Sequence, residues 1–456
     1  MGKILQFGEG NFLRCFVQYK MQEEKNRGGN FCTVDIVTPI DTEITKLFEV
    51  QQNKYHTVLR GKQGGKIVDE IMHIDVINSV VNPYRDFESY KSLYMDKSLD
   101  LVISNTTEAG IVTCENDEFC DKLCVSFPAK VTQLLFDRFA EYKTQGGLTF
   151  LCVELIENNA SELQKCILYY ANLWNLPQEF KNFIQENNTF CNTLVDRIVT
   201  GHPKDMTQFE SRIGKKDDLL VVGEPYFLWV IEGDKSIADK YAFLKDEHII
   251  FTKDSSIYRE RKVKILNGSH TMLAPICLLY GVEFVADAMK NQNIRCFLQD
   301  VLQSEISPTM KIEKEELEKF THSIFERFEN SFVDHSFWSI SLNGISKWKT
   351  RNLCAFADYY EKFGKIPSGM TFGLSAMIVF YITMQDKIVD DKNVLSFFFE
   401  TKREGIEFAC SRVLANFEFF GADLRSFKGL ESAVLKNVKN IMENGIEKAI
   451  KEYENT

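Results

Sequence analysis

The fold of this chain is decided by Lys3-Ile4-Leu5-Gln6-Phe7-Gly8-Glu9-Gly10-Asn11-Phe12-Leu13-Arg14. Residues 3–7 predict a short buried strand, and a helical pattern follows the turn to about residue 26. Strand, Gly-x-Gly turn and helix open a dinucleotide-binding fold, because the glycines let the backbone approach a pyrophosphate and the helix N-terminus offers free N–H groups. Leu13 replaces the third glycine of the usual motif, so a plain strand-to-helix turn remains the alternative.

Composition and charge limit the class of protein. A chain of 456 residues with 44% hydrophobic and 26% charged residues is typical of a soluble protein of two domains. The formal net charge of −11 argues against nucleic-acid and anionic-membrane partners, which need a basic surface. A small anionic substrate needs only a local basic pocket, so this class stays open.

The cysteines and the N-terminus bear on location. The 12 cysteines are scattered and favour free thiols in a reducing cytosol, and the spacing of Cys114, Cys120 and Cys124 matches no common zinc pattern. No signal peptide and no run of 18 apolar residues occur. We therefore expect a cytoplasmic protein that holds no metal and crosses no membrane.

Two later strands supply further cofactor candidates. Residues 32–38 predict the second strand, and Asp41 after it is placed to accept the ribose hydroxyls of NAD. No arginine lies between 38 and 46 to bind a 2′-phosphate, which favours NAD over NADP; the alternative is that Asp41 caps a helix starting near Thr42. Asn105 and Thr106 follow a buried strand at 99–104, where open α/β sheets bind ligands.

The periodicity of the chain changes near residue 255. Before it, strands and helices alternate; from about 258, apolar positions recur at helical spacing, with turns near 281, 308, 330, 364, 387 and 421 and a last helix over about 431–453. We expect an α/β Rossmann-type domain over 1–255 and an all-α domain over 256–456.

The first predicted helix of the second half brings a lysine, an amide and an imidazole together as Lys262, Asn267 and His270. An α-helix turns about 100° per residue, which places Lys262 and His270 about 80° apart, with Asn267 on the same broad side. Such a lysine can serve as a proton donor or acceptor. The alternative is that Lys262 is one of several solvated charges in 259–264 and that Asn267-Gly268 breaks the helix.

Other polar residues carry two interpretations each. Asn192 is a second amide that could polarise a carbonyl, or it is a helix N-cap. Arg351 and Lys347 belong to the strongest basic cluster of the helical half and could hold a carboxylate or hydroxyls, or they form a solvated helix face. His335 is a lone polar residue that is more often structural.

Taken together, these residues resemble the polyol-specific long-chain dehydrogenase/reductase family, the mannitol dehydrogenase group. Gly8, Gly10 and Arg14 match its Gly-x-Gly-x-x-x-Arg turn, and the 262–270 stretch matches its Lys-x-x-x-x-Asn-x-x-His signature. The segments 104–110, 194–201 and 265–271 resemble the branch that reduces keto-hexuronates, and the resemblance runs from residue 3 to about 450.

The resemblance implies a Rossmann domain, a helical substrate domain and metal-independent hydride transfer with NAD(H). It assigns Lys262 as acid/base, Asn267 and Asn192 as the groups that polarise the carbonyl, and His270 and Arg351 as substrate-binding residues. Lys347 and His335 are further candidates for substrate binding. The expected cofactor contacts are Phe7, Gly8, Gly10, Asn11, Phe12, Asp41, Asn105 and Thr106. The expected reaction is reduction of D-tagaturonate to D-altronate; fructuronate reductase, a mannitol 2-dehydrogenase and a non-catalytic sensor are the alternatives.

Overall fold

The computed structural model describes residues 2–29, 31–107, 109–119 and 122–454. The chain divides into two compact units, Met1–Arg60 with Ile67–Ser255, and Gly61–Lys66 with Ser256–Thr456. The strands are β1 (Lys3–Phe7), β2 (Val34–Val37), β3 (Tyr55–Gln63), β4 (Lys66–Ile74), β5 (Ile77–Val81), β6 (Leu99–Ser104), β7 (Thr149–Cys152), β8 (Thr189–Cys191), β9 (Thr193–Asp196), β10 (Val199–Gly201), β11 (Val221–Gly223), β12 (Leu228–Glu232) and β13 (Ile249–Thr252).

The helices before residue 255 are α1 (Asn11–Cys15), α2 (Val17–Asn26), α3 (Ile44–Val50), α4 (Phe87–Tyr94), α5 (Phe127–Tyr142), α6 (Asn159–Leu173), α7 (Gln178–Glu186), α8 (Thr207–Ile213) and α9 (Ser236–Lys240). After it come α10 (Ser256–Arg261), α11 (Gly268–Tyr280), α12 (Val285–Lys290), α13 (Gln292–Asp300), α14 (Lys314–Phe328), α15 (Phe337–Ser341), α16 (Gly344–Arg351), α17 (Leu353–Phe363), α18 (Ser368–Thr383), α19 (Lys392–Lys402), α20 (Ile406–Leu414), α21 (Phe417–Phe420), α22 (Leu430–Asn444) and α23 (Ile446–Glu454). Two π-helical segments, Lys262–Asn267 and Val301–Ile306, continue α10 and α13.

The main sheet of the first unit has the strand order β5-β2-β1-β6-β7-β8, and every pairing in it is parallel. Strand β1 lies between β2 and β6, so the strand order reverses at β1. Phe7 aligns with both Val37 and Ser104, so these three strands end together. Open α/β sheets bind ligands at the carboxyl edge beside such a reversal.

Both faces of this sheet are covered, which explains why successive residues of its strands are buried. Along β1, Ile4 belongs to one apolar cluster, with Phe16 and Trp229, and Leu5 belongs to the other, with helices α5 to α7. Two smaller sheets complete the unit, in the orders β10-β11-β3-β4 and β13-β12-β9. The predicted Rossmann-type fold is confirmed.

The second unit is helical in its described residues apart from short bridges and the hairpin tip, as the periodicity predicted. Helices α11, α17 and α21 end at Gly281, Gly364 and Gly421, whose φ angles of +85°, +66° and +74° favour glycine. The prediction of a single last helix over 431–453 is wrong. Gly445, with φ +79°, separates α22 from α23.

Helix α18 is the most apolar element of the second unit, and Gly369 through Ile382 are all buried within it. Its 16 residues are nevertheless too few to cross a bilayer. Among the described residues, no helix combines the length and hydropathy that a membrane span requires.

Candidate active site

The turn after β1 is open where a dinucleotide phosphate would lie. Gly8 has φ +112°, and a Cβ there would come within 2.5 Å of the carbonyl oxygen of Asn105, so only glycine fits this turn. A Cβ on Gly10 would meet no atom within 4 Å, and α1 begins at the next residue. An unobstructed backbone in front of a helix N-terminus suits a pyrophosphate, so these residues fit a dinucleotide.

Phe7, Phe12 and Asn11, which were also predicted to contact the cofactor, differ in their burial. The Phe7 side chain is fully buried against the rings of Tyr90 and Phe127, so its ring is closed to a ligand. Its carbonyl accepts a hydrogen bond from Asn105 N at 3.0 Å. Phe12 stacks on Phe16 and is partly buried. Asn11 is exposed and accepts a hydrogen bond from Arg14.

Asp41 follows β2 and is exposed at the same edge. Its Oδ1 accepts from Nδ2 of Asn82 at 2.8 Å and from Nε of Arg85 at 3.2 Å. Helix α3 begins at Ile44, whose N–H bonds Thr42 Oγ1 rather than Asp41. The alternative that Asp41 caps this helix is therefore wrong, and the carboxylate is available to a ligand.

Thr106 is held in place by a buried carboxylate that was not predicted from the sequence, and the Asn105 amide donates to the Val153 carbonyl at 3.3 Å. Glu154, two residues after the end of β7, is buried and accepts from Thr106 N at 3.0 Å, from Thr106 Oγ1 at 3.1 Å and from Ser104 Oγ at 3.1 Å. Burial raises the pKa of Glu154, although these donors oppose the shift. A polar residue shortly after a buried strand was the available signal.

Asn192 lies after β8 at the edge of the main sheet, and its amide is fully engaged. Oδ1 accepts from the backbone N–H of Ser161 at 2.9 Å, in the first turn of α6, while Nδ2 donates to Ser161 Oγ and to Glu232 Oε2. The side chain therefore does cap a helix N-terminus, although this helix precedes it in sequence. Polarising a carbonyl requires that one of the two Nδ2 bonds be given up.

Lys262 and Asn267 begin and end a π-helical segment, so the α-helical angle assumed between Lys262 and His270 is wrong. The N–H of Gly268 bonds the carbonyl of Val263, five residues back, and the helix then continues to Tyr280. Asn267-Gly268 therefore does not break the helix. Such π-segments occur frequently at functional sites, and this one contains the lysine and the amide of the signature.

The charges around Lys262 are not a solvated group. Arg261 is buried, pairs with Glu316 at 2.6 Å and lies over the ring of Phe320, while Lys264 is only 3% exposed and pairs with Glu260 and Asp358. The alternative of a solvated cluster at 259–264 is therefore wrong for these two residues. Lys262 and Asn267 are both partly buried.

His270 is buried with one ring nitrogen unsatisfied. Its ring stacks on Phe328 at 4.4 Å and meets His335 edge-on at 4.7 Å, and no donor or acceptor among the described residues reaches its Nε2. Burial lowers the pKa of His270 well below its usual value, and the neighbouring His335, Arg327, Arg351 and Lys347 lower it further. The neutral imidazole can therefore exchange a hydrogen bond with a ligand hydroxyl.

Cations converge on this imidazole. Arg351 Nη1 donates to Thr271 Oγ1 at 3.2 Å, and the adjacent Asn352 donates to the Gly268 carbonyl at 3.0 Å, so the end of α16 is fixed against α11. Lys347, one turn earlier, donates to the Ile340 carbonyl, and burial and Arg351 lower its pKa. His335 is partly buried, and its pKa is also lowered, by burial and by Arg327.

The arrangement favours an anion that carries hydroxyl groups. Arg327, Arg351 and Lys347 all act electrostatically on His270 and lower its pKa. Arginine and lysine at the rim of a partly buried site suit a carboxylate, while neutral imidazoles suit hydroxyls. Arg327 and Phe328 were not predicted from the sequence, because they lie at the C-terminal end of an otherwise ordinary amphipathic helix.

No metal centre is evident. Among the residues that the structure describes, no group of three or more His, Cys, Asp and Glu side chains could hold an ion. Cys114 and Cys124 are free thiols, and Cys120 lies outside the described residues.

A dinucleotide-binding sheet with a lysine, amide and imidazole signature defines the class of protein as a dehydrogenase of the Rossmann type. The chain belongs to the mannitol dehydrogenase family: the model of the mannitol dehydrogenase Rossmann domain matches residues 2–244, and that of the mannitol dehydrogenase C-terminal domain matches residues 254–442.

The relatives agree with this family. The chain is 39% identical over 459 aligned residues to an altronate oxidoreductase of Bacillus subtilis (strain 168), covering 99% of this chain and 95% of the relative. A D-sorbitol dehydrogenase in substrate-free form superposes with a TM-score of 0.80 at 20% identity, covering 98% of this chain and 94% of that one. The mannitol 2-dehydrogenase of Pseudomonas fluorescens, in a ternary complex with NAD and D-mannitol, superposes with a TM-score of 0.72 at 19% identity. This match covers 100% of this chain and 94% of that one. At these identities the two structures show the shared fold.

Proposed function

We propose that this protein is an NAD-dependent oxidoreductase that reduces D-tagaturonate to D-altronate in hexuronate catabolism. The likeness to altronate oxidoreductase over almost the whole of both chains supports the reaction. The observation that carries the substrate class is the group of cations around the neutral His270, because this group provides for a carboxylate and for hydroxyls at once.

The first 255 residues form the NAD-binding domain in this proposal. The backbone at Gly8, Gly10 and Asn11 would hold the pyrophosphate, Asp41 the ribose hydroxyls, and Asn105 and Thr106 the part of the cofactor that lies beyond β6. Phe7 contributes through its backbone and Phe12 through the packing of α1. When bound, NADH supplies the hydride that the reduction requires.

Residues 256–456 form the substrate-binding domain, and Lys262 is the general acid. As the keto oxygen gains negative charge, the Lys262 ammonium donates a proton to it, and Asn267 stabilises that charge with its side-chain amide. Asn267 has the principal role because the Asn192 amide is bonded to Ser161 and Glu232. Such a positioned donor removes the need for a metal ion.

The hydroxyls and the carboxylate at the other end of the substrate are bound by the residues around His270. His270 and His335 exchange hydrogen bonds with hydroxyls, while Arg351 and Lys347 hold the carboxylate. This end distinguishes the proposal from a mannitol 2-dehydrogenase, whose polyol has no carboxylate. A fructuronate reductase would need the same cations, so it remains the second candidate and differs in the stereochemistry that it accepts.

We place the protein in the cytoplasm with a small sugar acid as its partner. The described cysteines are all free, which suits a reducing compartment. The acidic net charge of −11 disfavours nucleic acid and anionic lipid, as stated above.

The test is a parallel assay of the purified protein with NADH and each of D-tagaturonate, D-fructuronate and D-fructose. NADH oxidation should be fastest with D-tagaturonate by kcat/KM. A preference for D-fructuronate would move the assignment to the second candidate, and turnover of D-fructose alone would overturn the uronate assignment altogether.

A further inference from the structure

The loops that follow β2 and β5 are joined by an arginine that lies far from Asp41 in sequence. Arg85 donates through Nε to Asp41 Oδ1 at 3.2 Å and forms an ion pair through Nη2 with Glu43. Asp41 and Glu43 remain 57% and 63% exposed, and Arg85 40%. One guanidinium thus lies against two carboxylates at the position expected for the adenosine ribose.

The surrounding contacts fix this loop pair. Asn82, buried at the end of β5, donates to Asp41 Oδ1 at 2.8 Å and to the Thr42 carbonyl at 3.1 Å. Lys130, fully buried in α5, donates to the Pro39 carbonyl and to the Tyr84 hydroxyl. These hydrogen bonds hold the backbone of the loop after β2 at Pro39 and Thr42, beside Asp41 and Glu43.

The electrostatics of the group select against an added phosphate. Arg85 and Lys46 lower the pKa of the Glu43 carboxyl to about 2, so it is ionised at neutral pH. A ribose 2′-hydroxyl can donate to Asp41, whereas a 2′-phosphate would bring about two negative charges beside two carboxylates. The guanidinium that could bind a phosphate in its fork-like geometry is already occupied.

We propose that Arg85 determines cofactor specificity. It orients Asp41 toward the ribose hydroxyls of NAD, and its pairing with Asp41 and Glu43 keeps it from binding the 2′-phosphate of NADP. Without the two acids, Arg85 becomes a 2′-phosphate anchor. This inference rests on the proposed function only in that the first unit binds a dinucleotide, and it identifies an arginine that a search of residues 38–46 could not reveal.

The test measures binding rather than turnover. Dissociation constants for NADH and NADPH are obtained from ligand-induced fluorescence changes. The proteins compared are the parent, the single variant Arg85→Gln and the double variant Asp41→Asn/Glu43→Gln. Two triple variants add Arg85→Gln or Arg85→Lys to this double variant. All three side chains are substantially exposed, so folding should be retained, and circular dichroism checks it.

The parent should prefer NADH, and the double variant should gain about tenfold or more in NADPH affinity, since a hydrogen bond to a charged group is worth that much. Adding Arg85→Gln should remove the gain, and Arg85→Lys should keep part of it. Arg85→Gln alone should weaken NADH binding without improving NADPH binding.

Two results would overturn the inference: a parent that binds NADPH as tightly as NADH, or a gain in NADPH affinity that persists after Arg85→Gln. Failure of the proposed function is separate, because a parent that prefers NADH but reduces no hexuronate contradicts the function and leaves the role of Arg85 intact.

Discussion

The imidazole of His270 lies almost flat on the ring of Phe328, with centroids 4.4 Å apart and ring planes inclined by 25°. This stacking fixes one face of the histidine, and the edge-on ring of His335 restricts another direction. The buried Nε2 is consequently aimed at a place where the described side chains offer no partner. A fixed, neutral imidazole is prepared to bind a hydroxyl without reorganisation.

The lowered pKa of His270 predicts how stability depends on pH. The unfolded chain protonates this histidine near pH 6.5, whereas the folded protein does so only at lower pH, because burial and nearby cations disfavour the charged ring. Stability is therefore fully present above about pH 6.5 and falls below it, by at most about 1.4 kcal/mol per pH unit for one proton. His335 adds a change of the same sign.

Urea unfolding between pH 5 and 7.5 tests this dependence in the parent, His270→Gln and His270→Gln/His335→Gln. The slope of the unfolding free energy against pH should decrease with each substitution. Equal slopes in the parent and the double variant would show that these histidines are not the buried neutral groups described.

Lys347 and Lys349 lie on the same helix and form a matched pair for the carboxylate site. Lys347 is partly buried near Arg351, whereas Lys349 is exposed. Lys347→Gln should raise the KM for D-tagaturonate about tenfold, the value of a hydrogen bond between charged groups. Lys349→Gln should leave KM unaltered, and steady-state kinetics at constant ionic strength compare the two. Equal effects would argue for a nonspecific influence of surface charge.

Alanine substitutions at Gly8 and Gly10 should distinguish effects on folding stability from effects on cofactor binding. Gly8→Ala brings a Cβ within 2.5 Å of the Asn105 carbonyl at φ +112°, so it should cost about 2 kcal/mol of stability and weaken NADH binding as well. Gly10→Ala meets no protein atom within 4 Å and should change stability by less than about 0.5 kcal/mol. It should still weaken NADH binding, because the added methyl stands where the pyrophosphate approaches.

Thermal unfolding and NADH titration of both glycine variants provide the comparison. If Gly10→Ala binds NADH as tightly as the parent, the pyrophosphate does not lie at this turn.

Glu305, in the second π-helical segment, caps the buried helix α18. Its carboxylate accepts from Gly369 N at 2.6 Å, Met370 N at 2.9 Å and Ser368 Oγ at 3.1 Å while almost fully buried. Glu305→Gln removes an acceptor from these donors and should destabilise the protein by about 2 kcal/mol. Glu318→Gln, on the exposed face of α14, is the control and should stay within about 0.5 kcal/mol of the parent in urea unfolding.

The main sheet could be predicted from the sequence because its signals are local. Lys3–Phe7 and Leu99–Ser104 are short, largely apolar segments followed by glycine or polar residues, and both are strands with the predicted bounds. The ends of helices at Gly281, Gly364 and Gly421 could also be predicted from the sequence. The division of the last helix at Gly445 was missed because the amphipathic pattern continues through the break.

The environment of the site residues could not be predicted in the same way. Charged side chains at Arg261 and Lys264 suggested a solvated face, but partners on distant helices, Glu316 and Asp358, allow them to be buried. The π-helical segment changes the helix phase through a backbone hydrogen bond that no residue type signals. Arg85 reaches Asp41, which lies 44 residues earlier in the chain. Each of these features depends on long-range contacts.

The rate of NADH oxidation with D-tagaturonate, compared between the parent and Lys262→Ala, tests the central claim most directly. General acid catalysis by a positioned lysine predicts a loss of about a thousandfold in kcat, with the dissociation constant for NADH unchanged. A Lys262→Ala variant that turns over as fast as the parent would contradict the assignment of Lys262 as the proton donor.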